Sequence, residues 1–299
     1  MYTVDVETGL ILSGFDVPEP APFKPGSASL MLLGVASKII AEPQRAIPAV
    51  TWLAYCYFVF FSTVLPGVPA QTLDPATWIE VRDLSINFWL VAPLLHLPIA
   101  ANTLHPGLEA IFNLLLAWAA AFSGFLSDGR PGRPSGSMVP VVGGMQLLTN
   151  AVLLPYLVIR CPESGERVYI DDLSPVERTV GEWRALGPLL ASVGSVALAW
   201  GCVARPEFGD LRTRFDSLLQ FLSQDRVGSS FVIDLVLFSF FQGWLVDEDL
   251  GRRGIAPRDA TFLRAVAKYV PFYGLCYYLS ARPDLGEQSN PASKSARPS

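Results

Sequence analysis

The sequence predicts an all-α integral membrane protein, a helical bundle of six or seven transmembrane helices with one or two interfacial helices. Of its 299 residues, 51% are hydrophobic and only 16% are charged, whereas soluble domains carry about 25% charged residues. The apolar residues are gathered in runs that approach the length of a membrane-crossing helix. Residues 48–281 are therefore predicted to form one transmembrane bundle, and the Ser-, Pro- and Lys-rich segment 282–299 a disordered tail.

Residues 1–47 are predicted to form a polar arm followed by a short interfacial helix. The arm is rich in Pro and Gly, and the apolar segment Ala28–Ala41 that follows it is bounded by Lys38 and Pro43. This segment is too short to cross a bilayer but long enough to lie on one. The acidic N-terminus and the very short apolar patch Leu10–Leu12 predict no cleavable secretory signal.

The first two predicted spans differ in regularity. Pro48–Leu65 carries no charge and is followed by a Pro-Gly pair, a pattern typical of a helix with a defined end. Leu84–Leu104 is interrupted by Pro93 and Pro98, and each proline removes a backbone donor and bends the helix. We expect this second span to be a kinked wall or part of a cavity, with His96 as a possible ligand-binding side chain.

The third span, His105–Asp128, carries a polar stripe on an otherwise apolar helix. His105, Glu109 and Asn113 recur at i, i+4 and i+8 and therefore lie along one face of the helix. A charged acid at the centre of a membrane helix costs about 2.5–3.5 kcal/mol, so it normally faces protein or a water-filled cavity. The stripe thus indicates where a functional site is expected.

Two later spans also contain polar side chains at helical spacing. Met138–Ile159, the fourth span, carries Gln146 and Asn150 four residues apart, and the sixth span carries Asp234 and Gln242 eight residues apart. Each pair is predicted to lie on one face of its helix. Small residues in the fourth span also favour close helix packing.

The other segments of the second half decide the number of spans. Ala185–Ala204 is the fifth predicted span, and Ser229–Val246 is the sixth. Between them, Asp210–Gln224 has apolar residues at helical spacing, which predicts a helix lying on the membrane surface. The last apolar run, Tyr269–Ala281, is short and would cross only if Ala265–Lys268 were included, with the lysine side chain extending to the interface.

Several segments of the chain resemble one known family. These are LSINFWLVAPLLHL, HPGLEAIFN, LSDGR, MQLLTNAVLLPYL, ARPEFGDL, FVIDLVLFSFFQGWLVDEDL and YVPFYGLCYYLSARPDL. Together they resemble a family of uncharacterised polytopic membrane proteins of plastids, cyanobacteria and fungi, over most of residues 80–285. The resemblance implies a membrane fold, and it implies no catalytic residue, because no reaction is assigned to that family.

The polar stripe has three competing explanations, and the third of them is scattered pairing of the polar residues with no common site. In the first, His105 lies at the headgroups and Glu109 caps the helix or pairs with a loop arginine. In the second, the stripe shares one internal cavity with the polar residues of the other spans. The second would assign acid–base roles to Glu109 and Asp234, and substrate contacts to His96, His105, Asn113, Gln146, Asn150, Gln242, Trp118 and Trp244.

Three functions are compatible with such residues. An enzyme that cyclises or isomerises a lipophilic substrate, an isoprenoid or polyketide, needs a neutral carboxylic acid in an apolar wall and aromatic surfaces for a cationic intermediate. A pigment- or partner-binding scaffold of a photosynthetic or other specialised membrane needs ligands, although only two histidines occur. A transporter would require repeats with matched broken helices.

Composition excludes one class of partner and favours another. The net charge is −5, and the basic residues are dispersed, so we expect no nucleic-acid partner. We expect the lipid bilayer and a lipophilic small molecule as partners.

The four cysteines include no C-x-x-C and no Cys/His pair at metal spacing, so we predict neither a metal ion nor another cofactor. The sequence leaves the particular membrane and the oligomeric state open.

Overall fold

The structure, a computed structural model, describes residues 27–76, 104–129, 137–160, 167–256 and 258–287. His96, most of the predicted span Leu84–Leu104 and most of the predicted tail lie outside these ranges. The chain divides into two units, Met1–Pro43 and Gln44–Ser299. In the first unit the apolar segment forms helix α1, Ser27–Ala41, one residue longer than the predicted segment.

The described residues of the second unit are almost entirely helical. The helices are α2 Ala46–Cys56, α3 Pro106–Ala121, α4 Val139–Ile159, α5 Leu186–Val203, α6 Leu211–Gln224, α7 Arg226–Arg252, α8 Thr261–Tyr269 and α9 Tyr273–Ala281. A π-helical turn, Tyr57–Phe61, extends α2, and a 3-10 turn, Phe122–Gly129, extends α3. Among the described residues, β-type pairing is limited to an isolated bridge between Tyr169 and Gly286.

Four helices are long and apolar enough to cross a membrane, which is compatible with the predicted integral membrane protein. They are Pro106–Gly129, Val139–Ile159, Leu186–Val203 and Arg226–Arg252. The predicted count of six or seven spans therefore stays a prediction. The first predicted span, Pro48–Leu65, is helical only as far as Phe61, through α2 and its π turn. The next residue, Ser62, has an extended backbone.

Helices α3 and α7 run parallel through the centre of the bundle. The Phe112 ring lies 5.6 Å from that of Phe231, and the Trp118 ring lies 6.0 Å from that of Phe238. Farther along, the hydroxyl of Ser127 donates to Asp249 over 3.4 Å. The contacts advance in the same direction on both helices, so their N-terminal ends share one side of the bundle and their C-terminal ends share the other.

The sequence predicts Met138–Ile159 as one span with a kink at Pro155 near its far end, but in the structure helix α4 breaks in its middle. It breaks at Leu148 (φ −130°, ψ 17°) and Thr149 (φ 38°, ψ −117°). Beyond the break, the Val152 side chain lies 3.1 Å from where a Cβ atom on Gly144 would be, although eight residues of straight helix span about 12 Å. The two limbs of α4 therefore lie side by side.

Both ends of α4 lie at the same turn of the neighbouring helix. A Cβ atom on Gly129 would collide with the backbone of Met138, while Asp128 accepts hydrogen bonds from Tyr156 at 2.7 Å and Arg160 at 3.1 Å. In a straight helix, residues 138 and 160 would be about 33 Å apart. The chain instead enters the bundle, turns at Thr149 and returns.

The end of the chain also departs from the predicted pattern. The run Tyr269–Ala281 is broken between α8 and α9, where Phe272 has a φ of 54°. Each of these helices has nine residues and rises about 13 Å, less than half of a hydrocarbon core. Conversely, α7 extends beyond the predicted end at Val246. Asp247 pairs with Arg264 and Lys268, and the next two acidic residues pair with buried arginines.

Candidate functional site

Asp234 lies at the turn of α4, held by polar groups from two other helices. Its carboxylate accepts a hydrogen bond of 2.7 Å from Asn150 Nδ2 and one of 3.4 Å from the Tyr55 hydroxyl. The Asn150 amide also donates to the Asp234 backbone carbonyl over 3.3 Å. The Thr149 hydroxyl contacts the same carboxyl group. The structure thus brings together Asn150 and Asp234, two residues that the sequence predicts to share a site.

The residue Asp234 is buried, with 2% of its surface exposed. Its carboxyl group has no cationic partner among the described residues. Its contacts are the carboxamide and the backbone N–H of Asn150 and two hydroxyl groups. A buried charge that is not paired is costly in an apolar interior. The cost of burying an unpaired charge therefore acts against the ionised form of this carboxyl group.

The backbone around this carboxyl group is irregular on both neighbouring elements. Thr149 has a positive φ, which is strained for a β-branched residue. Tyr55 lies two residues before the π-helical turn Tyr57–Phe61. Strained residues and π turns are common at functional sites. Sequence reasoning missed Tyr55 and Thr149, since both lie in apolar runs where a single hydroxyl group gives little signal.

Glu109 lies in a different environment, on the side of α3 that faces α5. Arg205 binds its carboxylate through two nitrogens, at 2.6 and 3.0 Å, and Trp200 Nε1 donates to it over 2.7 Å. The hydrogen bond to Glu109 raises the pKa of Arg205. This pairing with a loop arginine is the arrangement of the first explanation for the polar stripe.

Glu109 and Asp234 do not belong to one hydrogen-bonded group. Judged from the α3–α7 contacts, Asp234 is level with position 115, about 9 Å farther along the axis than Glu109. Among the described residues, none hydrogen-bonds to both carboxyl groups. The Glu109 partners belong to α5 and the loop after it, and the Asp234 partners belong to α2 and α4.

The other polar residues of the stripe have local partners. His105 caps α3: its Nδ1 accepts from the Gly107 N–H at 3.1 Å, and its Nε2 lies 3.0 Å from the Ser217 hydroxyl. Burial lowers the pKa of His105, which fits a neutral ring. Asn113 donates to the Glu109 carbonyl over 2.8 Å within the same helix.

His105 also lines a cleft between α3, α5 and α6. The cleft has a volume of about 220 Å³, and its walls include Gly107, Gly201, Leu211, Arg214 and Phe215. Neither Glu109 nor Asp234 lines it. It is largely apolar and lies beside exposed apolar side chains of α6.

Three of the remaining predicted site residues, Gln242, Trp244 and Trp118, have their contacts with other groups. Gln242 Nε2 donates to the carbonyls of Ala267 and Val270 at 2.6 and 3.1 Å, at the end of α8. Trp244 donates to Glu248 one turn later. Trp118 is 2% exposed, packs against Phe238 and Phe272, and its Nε1 has no partner among the described residues.

A buried group of charged residues, which we call the ion cluster, lies at the C-terminal end of α3 and α7. It consists of four acids and four arginines: Asp128, Glu182, Glu248, Asp249, Arg160, Arg252, Arg253 and Arg282. Its formal charges cancel. The sequence shows these residues only as charges flanking apolar runs, so their convergence was not predicted.

Nothing in the described ranges forms a group of three or more His, Cys, Asp and Glu side chains suited to a metal ion. No protein-family model, curated protein or solved structure matches the chain. The resemblance to the plastid, cyanobacterial and fungal membrane proteins therefore stays a prediction.

Proposed function

We propose that the protein is a membrane-embedded enzyme that cyclises or isomerises a lipophilic substrate, an isoprenoid or polyketide, with Asp234 as the proton donor. The observation that carries the proposal is a buried carboxyl group without a described cationic partner, held by Tyr55 and Asn150 at the turn of a re-entrant helix. Such an acid can protonate a substrate and take the proton back from the product. Backbone that leaves regular helix inside a membrane is tolerated only where protein buries it or where it lines a cavity.

Glu109 has a structural role in this proposal. Arg205 and Trp200 bind its carboxylate through both oxygens, with an ion pair and charge-assisted hydrogen bonds that join α3 to α5 and the loop after it. We propose that Glu109 and Arg205 hold α3 against the end of α5. His105 and the apolar cleft beside it lie on this side of the bundle, where α6 would rest on the membrane surface as an interfacial helix.

A transporter is the second candidate, and the fold-back of α4 favours it. Re-entrant and broken helices are characteristic of transporter substrate sites, and α8 and α9 form a second broken element. In that case Asp234 would carry a proton coupled to transport. The scaffold alternative has no comparable support, because the described His105 has both ring nitrogens occupied by protein groups.

The fold-back predicts the membrane topology around α4. In a background without native cysteines, Ser137→Cys and Arg167→Cys should be labelled by a membrane-impermeant maleimide from the same side of intact membrane vesicles. A straight α4 would put these two positions on opposite sides. Labelling from opposite sides would therefore contradict the re-entrant arrangement.

The proposed reaction predicts a specific defect for Asp234→Asn. This change keeps the size of the side chain and one oxygen that can accept from Asn150, but it replaces the other oxygen with an NH2 group and removes the acid, so the rate should fall by about 10²–10⁴-fold. In cells that lack their own copy, the lipophilic metabolites should then match those of the deletion strain, with the protein level unchanged. Metabolite extracts analysed by mass spectrometry would measure this.

Asp216→Asn provides the matched control, because the Asp216 side chain is 68% exposed on α6. It should leave the metabolite profile like wild type. If Asp234→Asn and the deletion both leave the profile unchanged, the enzyme proposal is wrong. A compound that only shifts between cells and medium, without a change in total amount, would instead identify a transporter.

A further inference from the structure

We infer that the substrate carries a hydroxyl group, which Gln146 and Asn150 bind beside Asp234. This inference rests on the proposed function, and it names the chemical class of the substrate, a lipophilic alcohol. Two unsatisfied polar atoms on the two sides of the α4 break carry it.

The first observation is that two buried polar atoms next to the break have no hydrogen-bond partner among the described residues. They are Gln146 Nε2 and Asn150 Oδ1. Asn150 is completely buried, and its Nδ2 is already used by Asp234 at 2.7 Å. Buried polar groups nearly always have a partner, so the two atoms point to a bound group.

The second observation is that the two atoms are complementary. The Gln146 amide nitrogen can only donate, and the Asn150 carbonyl oxygen can only accept. A hydroxyl group satisfies both, since it accepts one hydrogen bond and donates another. A ketone would leave the Asn150 oxygen unsatisfied, and a hydrocarbon would leave both atoms unsatisfied.

The third observation concerns their proximity. The contact between Val152 and Gly144 shows that the limbs of α4 lie side by side around Leu148. Positions 146 and 150 are each two residues from Leu148, so the side-by-side limbs put them at the same level on the two sides of the break. A single hydroxyl group between them would lie beside the Asp234 carboxyl group, which Asn150 contacts directly.

The test is a binding competition in phosphatidylcholine nanodiscs that contain the purified protein. A photoactivatable hexadecyl alcohol labels the protein, and unlabelled hexadecanol or hexadecane competes at the same mole fraction in the bilayer. The readout is labelling of peptides from residues 139–160. We expect hexadecanol to compete about tenfold better than hexadecane, since the hydroxyl group makes two hydrogen bonds.

Gln146→Leu and Gln146→Met remove the donor, and either should reduce this preference by about threefold to tenfold. Two such variants are used so that one unstable protein does not decide the result. Leu147→Ala, at an 82% exposed neighbouring position, is the control and should keep the full preference. Equal competition by the two compounds, or a preference that both Gln146 variants retain, would overturn the inference.

Asp234→Asn separates this inference from the proposed function. It keeps the carboxamide contacts around the hydroxyl site, so the preference for hexadecanol should persist although turnover is lost. A Gln146-dependent preference with unchanged metabolites in Asp234→Asn would support an alcohol site without the proposed catalysis. Loss of metabolites without any alcohol preference would support the catalysis and overturn the alcohol site.

Discussion

Asp249→Asn is expected to lower the free energy of unfolding by about 3–5 kcal/mol, the cost of removing one partner from a buried ion pair. The Asp249 carboxylate is completely buried. It accepts hydrogen bonds from Tyr278 at 2.7 Å, Arg253 at 2.9 Å and Arg282 at 3.0 Å. Without its charge, the neutral ion cluster would carry one uncompensated positive charge inside the protein.

Thermal unfolding of the detergent-solubilised protein, followed by size-exclusion chromatography after heating, would measure this loss as a lower midpoint. Asp284→Asn is the matched control, because Asp284 pairs with Arg184 at 2.8 Å while its side chain is 77% exposed. Exposed ion pairs contribute only about 0–1 kcal/mol. Similar midpoints for the two variants would show that the ion cluster does not stabilise the fold.

Arg226→Met is expected to destabilise the end of α2 by about 2–6 kcal/mol. The Arg226 guanidinium donates to five backbone carbonyls between residues 58 and 67, at 2.8–3.2 Å. The hydrogen bonds to Val59 and Ser62 are buried, and each buried acceptor left without a donor costs about 1–3 kcal/mol. A methionine of similar length cannot replace any of these bonds.

Hydrogen–deuterium exchange of the π turn would detect the Arg226→Met defect before global unfolding. Arg212→Met is the control, because the Arg212 side chain is 92% exposed and should leave exchange unchanged. If exchange near Tyr57–Phe61 is equal in both variants, Arg226 does not hold this turn. The expected loosening would also move Tyr55, which lies two residues before the turn and contacts Asp234.

Much of the helical architecture follows from local sequence patterns. The apolar run and flanking turn residues predict α5 within one residue at each end, and the amphipathic spacing predicts α6, whose N-cap Asp210 accepts from the Thr213 N–H at 2.8 Å. These features depend on residues a few positions apart, so composition and periodicity are sufficient. The length of α7 was underestimated, because charged residues end a predicted span unless their partners are known.

The sequence by itself determined that the chain is apolar, helical and supplied with rare polar side chains within its helices, including Asn150 and Asp234. Tertiary structure alone decided how these side chains pair. Asp234 meets Asn150 from 84 positions away, and Glu109 meets Arg205 from 96 positions away. Residues 147–151, around the break at Thr149, include no proline or glycine that would have predicted it. A strained residue of this kind persists only where contacts from distant helices stabilise it, and those contacts exist only in the folded chain.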